Sequence, residues 1–254
     1  MYRYETHLHT SPVSRCGKVS ARDNLEFYKS LGYAGVFITN HFLDGNLNMD
    51  FHRPYEERIH YYFSDYEAAL PIGKELGIDV FCGVELSYDF SDYDAALRLS
   101  RETGLDIPSE GTYRKGGTDF LIYGLDKSWF LTHPEVEGMH KSELLALMMD
   151  SGALVIHAHP FREAGYIDHI RLYPRLVHGV EVYNGCRTDF ENEMAAQYAK
   201  NYGLLPFAGS DNHRGKDLPH LGGMESDTPL TDEQDFVRRV KAGEMRIFRI
   251  DQNV

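Results

Sequence analysis

Short, nearly continuous apolar runs recur along this chain, and most of them end in a side chain able to hold a metal ion. Runs at 2–6, 35–39, 79–86, 120–123, 153–157, 179–183 and 204–208 predict strands. They are continuous rather than alternating, which is the pattern of strands covered on both faces, as in parallel sheets. Helical stretches fall between them. Ser20 caps one that runs to Leu31 before Gly32, and a second spans 64–76 with Ser64 as cap and Gly77 as stop. Others are predicted over 92–103, 142–151, 189–202 and 231–242, the last capped by Thr231, and 245–250 adds a short strand. Residues 42–62 form a long polar and aromatic loop, and 104–118 a surface excursion rich in Gly, Lys and Ser. Strand–helix alternation argues a parallel sheet. Repeated units with functional residues after the strands argue a closed, TIM-like barrel of class α/β, filling 1–254 as one domain. An open doubly wound sheet would use only strand ends near its switch point, so it fits less well.

The strand ends carry the chemistry. His7 and His9 lie two apart after the first run and project to one side of an extended backbone. His41, Glu85, His157 with His159, and Asp211 with His213 follow later runs in the same way. Imidazole nitrogen and carboxylate oxygen together suit zinc, manganese or iron(II). A bridging carboxylate can hold two such ions about 3.5–4 Å apart, the spacing that clamps both oxygens of a phosphoryl displacement. Glu85 is the carboxylate that ends its strand cleanly, so it is the bridging candidate. Arg162, three residues past His159, offers a planar fork for a phosphate, and Asn184 and Arg187 follow the sixth strand toward the same mouth. Glu181 lies within that strand and reads as a support for ligands rather than a ligand.

Composition sharpens this picture. The chain has 254 residues, 39 acidic against 26 basic, and a net charge of −13. So acidic a chain is a poor general binder of nucleic acid, which needs a basic footprint. Bound divalent ions would nonetheless make a local anion trap. Thirteen histidines fit metal chemistry. The three cysteines, Cys16, Cys82 and Cys186, are widely spaced and read as reduced thiols in a cytoplasmic protein. No run approaches a membrane span, and no apolar core of a signal peptide follows Met1.

Taken in order, His7-Leu8-His9-Thr10, Thr39-Asn40-His41, Glu85 after Gly83, His159-Pro160 and Ser210-Asp211-Asn212-His213 resemble the motifs of the PHP family, named for polymerase and histidinol phosphatase. The resemblance runs over nearly the whole chain. It implies a distorted seven-stranded α/β barrel with two or three metals (zinc, manganese or iron) at the C-terminal mouth. It also implies phosphoester hydrolysis through a metal-activated water. By position, His7, His9, Glu85 and Asp211 would hold one metal, Glu85 and His159 a second, and His41 and His213 a third. Glu85, Asp211 and His213 are the implied catalytic residues.

This sequence departs from the family at three places. Asn40 stands where an aspartate is usual. The fourth strand carries no histidine, for which His157 is a candidate substitute, two residues from His159. Ser14, Arg15 and Cys16 occupy the region where many members have His or Asp; Cys16 reads either as a soft ligand for zinc or as a small buried side chain. The expected substrate is a small phosphate ester or a terminal nucleotide phosphoester, with nucleic acid admitted only as a short or terminal substrate and no membrane partner. A metal-dependent hydrolase of a non-phosphate substrate and a non-catalytic PHP-like binding module are the alternatives.

Overall fold

The computed structural model describes residues 1–42, 46–50, 52–87, 103–104, 118–137, 139–165, 167 and 170–252. The predicted helix at 92–103 and the excursion at 104–118 lie, apart from their ends, outside the described residues. Strand β1 (Tyr2–Leu8) is buried from Tyr4 onward. Beside it run β2 (Gly35–Ile38) and β4 (Asp79–Ser87), both parallel, with the two-residue β3 (His41–Phe42) paired to β4 so that His41 faces Glu85. Then come β5 (Asp119–Tyr123), β6 (Leu154–Ala158), β7 (Gly179–Asn184) and β8 (Leu205–Gly209). On the far side of β1, β9 (His220–Ser226) and β10 (Arg246–Asp251) add antiparallel. The sheet order is β10-β9-β1-β2-β4-β5-β6-β7-β8, with β3 off this path.

The two flanks of the sheet meet around β1. Its first residues pair with β9, whereas past its middle it meets the chain leaving β8. There His9 N–H donates to the Asn212 carbonyl at 3.0 Å and Asn212 N–H donates to the His7 carbonyl at 3.1 Å. Ser210 N–H donates to Glu5 Oε1 at 3.0 Å, and the Thr6 hydroxyl donates to the Ala208 carbonyl. The result is a nearly closed, barrel-like sheet of mixed α/β class.

Two features differ from the expected seven parallel strands. The described sheet has ten strands. More consequentially, β5 runs antiparallel to both β4 and β6. Its first residue, Asp119, therefore lies at the mouth beside Ser87 and Ala158, while Tyr123 points to the opposite end.

The helices follow from local chemistry. In α1 (Ala21–Ser30) the Ser20 side chain accepts from Asp23 N–H, as the sequence predicts. Helix α2 (Tyr55–Leu76) starts well before Ser64, so the predicted loop over 42–62 is shorter. Pro54 precedes it, and Glu56 and Glu57 place negative charge in its first turn, where the helix dipole favours it. Ser64 is interior and donates to the Tyr61 carbonyl at 2.6 Å. Short helix α3 (Lys127–Thr132) was not predicted, and α4 (Lys141–Asp150) matches its prediction closely. Helix α5 (Asp189–Tyr202) has a full capping box from Thr188 and Glu191 and ends at left-handed Gly203. In α6 (Glu233–Lys241) the cap is Asp232, not Thr231.

Strand β9 went unpredicted because Gly222-Gly223 reads as a turn. In the fold these glycines admit close neighbours: a Cβ on Gly222 would lie 2.6 Å from the Tyr183 ring, and one on Gly223 2.0 Å from the Tyr4 carbonyl oxygen. Phe236 of α6 packs at 4.3 Å from Phe37 and 5.2 Å from Tyr123, ring centre to ring centre, and these rings join one buried cluster with Tyr4, Phe81 and Phe207. The polar residues of the strand ends are thereby collected at the other end.

Candidate metal centre

Glu85 is the centre of the site. Its Oε1 lies 3.4 Å from His7 Nε2 and 3.2 Å from His159 Nε2; its Oε2 lies 3.2 Å from His9 Nε2 and 2.9 Å from His41 Nδ1. Each oxygen thus faces its own pair of imidazoles. Asp211 Oδ1 adds a second carboxylate, 3.5 Å from His7 Nε2 and 3.4 Å from His9 Nε2. The imidazole of His213 stacks on that of His9 with centres 4.1 Å apart.

Backbone strain helps deliver two of these groups. Among the described residues, His159 and Asp211 are the non-glycine residues with positive φ, at 24° and 55°. Such conformations cost on the order of 1–3 kcal/mol and persist where surrounding contacts enforce them. Both residues follow a strand end, and the twist turns their side chains inward.

The supporting layer fixes tautomers. Glu181 Oε1 lies 2.8 Å from His7 Nδ1, so that nitrogen carries a proton and Nε2 is the nitrogen turned to the centre. Glu181 Oε2 accepts from His159 N–H at 3.0 Å and from Asn184 Nδ2 at 2.9 Å. His213 Nδ1 lies 2.8 Å from the Asp211 carbonyl oxygen, which can only accept, so Nδ1 carries a proton and Nε2 is the nitrogen left for an ion. Asn40 accepts from Thr10 N–H at 2.8 Å and donates to the Thr10 hydroxyl at 2.9 Å. That hydroxyl donates to Asp65 at 2.9 Å. An aspartate at position 40 would have no proton for this bond and would set a second carboxylate against Asp65, which explains the amide.

The electrostatics fit a cation site. Burial alone would raise the carboxyl of Glu85, but the imidazoles of His41 and His7 outweigh it and hold the group well below the usual range. Asp211 is likewise depressed against burial by His7 and His213. Burial, with His213 and His41 nearby, keeps His9 below its ordinary value and so disposed to be neutral. Against burial, Asp211 and the neighbouring thiols lift His213 to about 10. Burial would raise the Cys16 thiol, yet hydrogen bonds with His213 and His41 bring it to about 5. His7 Nε2, His9 Nε2 and Glu85 Oε2 are buried and complete no hydrogen bond, although they converge. Buried polar atoms are otherwise almost always satisfied. Divalent ions satisfy such atoms, and the oxygen and imidazole donors present suit zinc, manganese or iron.

The donors form overlapping groups within 4.8 Å: His7, His9 and Asp211; His7, Glu85 and His159; His9, Cys16, His41 and His213; and Cys186, Asp211 and His213. The structure therefore brings together His7, His9, His41, Glu85, His159, Asp211 and His213, all of which the sequence singled out. His41 and His213 have side chains 12% and 24% exposed, against 0–1% for His7, His9 and Glu85, so solvent reaches the centre from their side.

His157 does not join it. It packs among the rings of Phe120, Tyr173 and Tyr198. Strand alternation would put His157 and His159 on one face, but the left-handed turn at His159 breaks the alternation. Asn184 is fully buried and uses its amide on Glu181 and on Asp211 at 3.3 Å, so it positions ligands instead of meeting a substrate. Arg187 leans toward Glu191, 4.0 Å away. Arg162 follows the His159 turn, its N–H donating to the His159 carbonyl at 3.0 Å.

One residue escaped the sequence reading. Asp119 is buried, and its Oδ2 lies 3.7 Å from His159 Nε2. It lies beside the second group, on the His159 side. It was overlooked because a parallel fourth strand would present its last residue to the mouth, whereas reversed β5 presents its first.

Comparison with known proteins agrees with the fold. A family model described as PHP-associated matches residues 189–245, the stretch from α5 through α6 that carries Asp211 and His213. A two-domain protein from Bacteroides vulgatus, described as containing a predicted PHP-like metal-dependent phosphoesterase, superposes with a TM-score of 0.66 at 14% identity over 97% of this chain. The chain shares the fold of this PHP-like relative. It spans 64% of that relative's length. PsfC from Pseudomonas syringae gives a TM-score of 0.57 at 15% identity, covering 100% of this chain and 93% of its own. A candidate metal-dependent phosphoesterase from Bifidobacterium adolescentis gives 0.52 at 15%, covering 95% and 96%. No curated protein sequence matches. No helix among the described residues is long and apolar enough to cross a membrane.

Proposed function

We propose that this PHP-like chain is a metal-dependent phosphoesterase acting on a small phosphate ester or a terminal nucleotide phosphoester, and that residues 1–254 form one barrel domain. The observation that carries the reading is the placement of Glu85, whose two oxygens each face a separate pair of imidazoles. A carboxylate so placed can bridge two cations. Divalent ions bound there would supply an activated water and neutralise charge developing on the phosphoryl oxygens. His7, His9, Glu85 and Asp211 would hold one ion, Glu85 and His159 with Asp119 a second.

The protein's own groups do the rest. Glu181 and Asn184 hold His7, His159 and Asp211 in place. Arg162, three residues past His159, is the group proposed to grip the phosphate. On the solvent-facing side His41 and His213 would hold a third ion, and a bound water would serve the leaving oxygen. The overall charge of −13 repels a polymer at every phosphate beyond the mouth, so a small ester or a chain end is preferred.

The test pairs elemental analysis with a substrate panel of an aryl phosphate, a short single-stranded oligonucleotide, a long duplex and a carboxylic ester. At least two divalent ions per chain and turnover of the small phosphate are expected, with weak dependence on salt. Turnover of the carboxylic ester alone would move the assignment to carbonyl chemistry. Fewer than one ion per chain after incubation with zinc or manganese would overturn the reading.

A further inference from the structure

Cys16 reaches the solvent-facing side of the centre. Its sulfur lies within 4.8 Å of donor nitrogens on His9, His41 and His213. The loop that carries it is pinned on both sides to the two outer histidines. Toward one, His41 N–H donates to the Ser14 hydroxyl at 3.1 Å; toward the other, Lys18 N–H donates to the His213 carbonyl at 2.9 Å. Gly17 makes the tight fold between them: a Cβ there would lie 2.8 Å from the Thr10 carbonyl carbon. His213 is oriented independently, because its Nδ1–H is committed to the Asp211 carbonyl, which leaves Nε2 as its ligating nitrogen.

We propose that Cys16 is a metal ligand, forming with His41 and His213 an outer site that takes zinc or another soft divalent ion in preference to manganese. This rests on the metal-dependent reading above, and it separates the outer position from the carboxylate-rich inner ones. One sulfur and two imidazoles are a zinc donor set; a tetrahedral zinc with bonds of about 2.0–2.3 Å leaves its fourth position open. Thiolate is a soft donor that favours zinc, whereas manganese prefers oxygen. The inner groups, built on Glu85, Asp211 and Asp119, carry the oxygen ligands that suit harder ions. Cys186 is the competing thiol. Its sulfur lies 3.1 Å from the Asp211 carbonyl oxygen, to which it donates, so it is already engaged.

Cobalt(II) reports a bound thiolate by a strong near-ultraviolet charge-transfer band that imidazole and carboxylate do not give. The full chain is stripped with a chelator, reloaded with cobalt or with zinc, and compared with Cys16→Ser, Cys186→Ser and Cys16→His. The band is expected in the parent and in Cys186→Ser. Cys16→Ser should lose the band and one zinc equivalent while keeping the inner ions. Cys16→His should regain the equivalent without the band. A parent lacking the band, a band surviving in Cys16→Ser, or a band lost in Cys186→Ser would overturn the proposal. Turnover is not needed for any of these readouts. An inactive protein that shows the Cys16-dependent band would fail the phosphoesterase reading alone, and an active one without it would fail this proposal alone.

Discussion

The carboxylate of Glu181 and the imidazole of His7 are both wholly excluded from solvent and meet at 2.8 Å. They come from β7 and β1, far apart in the chain. Burial alone would lower His7, but Glu181, Asp211 and Glu85 raise it well above its ordinary value. Such a carboxylate fixes the ring and makes the opposite nitrogen a better ligand. Glu181→Gln keeps the shape and removes the charge. It should weaken ion binding by about 10–100-fold, read by competition with a chelating dye. Unchanged affinity would show that Glu181 merely fills space.

The same pair depends on Gly209. A Cβ at that position would lie 2.5 Å from His7 Cβ and 2.9 Å from Glu181 Oε1. Gly209→Ala must therefore push β8 away from β1. Destabilisation of about 1–3 kcal/mol is expected from this overpacking, with loss of bound ions, measured by denaturant unfolding and elemental analysis. A variant with parent-like stability and metal content would mean the strands part freely here.

Asp119 should act on the second ion alone. Asp119→Asn is expected to lower metal content by about one equivalent under limiting metal while the first ion stays. Loss of both ions, or of neither, would remove Asp119 from the ligand set.

Arg162 tests substrate grip. Arg162→Ala should raise KM about tenfold or more with kcat and metal content little changed, the sign of binding shared by ground and transition states. An unchanged KM would assign Arg162 to the surface.

Buried His157 gives the fold a pH dependence of its own. Burial, with His159 and Lys141 nearby, pushes it down to about 3. The folded value lies below the unfolded one of about 6.5. The neutral ring's contribution is thus fully present above about pH 6.5 and is lost as pH falls toward 3. Between pH 6.5 and 5 this amounts to about 2 kcal/mol. His157→Phe, in a pocket of aromatic rings, should shrink the metal-free protein's loss of stability over that interval, read by urea unfolding. An equal loss in parent and variant would show that His157 titrates normally.

The sequence alone determined the strand ends and what they carry. His7, His9, His41, Glu85, His159, Asp211 and His213 were legible because a buried run ending in a ligand-bearing side chain is a local pattern. The cap at Ser20 and the stop at Gly77 are equally local, since they satisfy backbone groups within one turn. Only the tertiary structure decided which way each strand runs and what lies across from it. Strand direction depends on pairing between segments distant in sequence, so the reversal of β5, which brings Asp119 to the mouth, leaves no mark in its own residues. The left-handed turns at His159 and Asp211 are enforced by neighbours such as Glu181 and Asn184, and they broke the alternation that made His157 look like a ligand. The surroundings of Cys16, on a loop pinned between His41 and His213, are likewise set by the tertiary structure, because they come from segments distant in sequence.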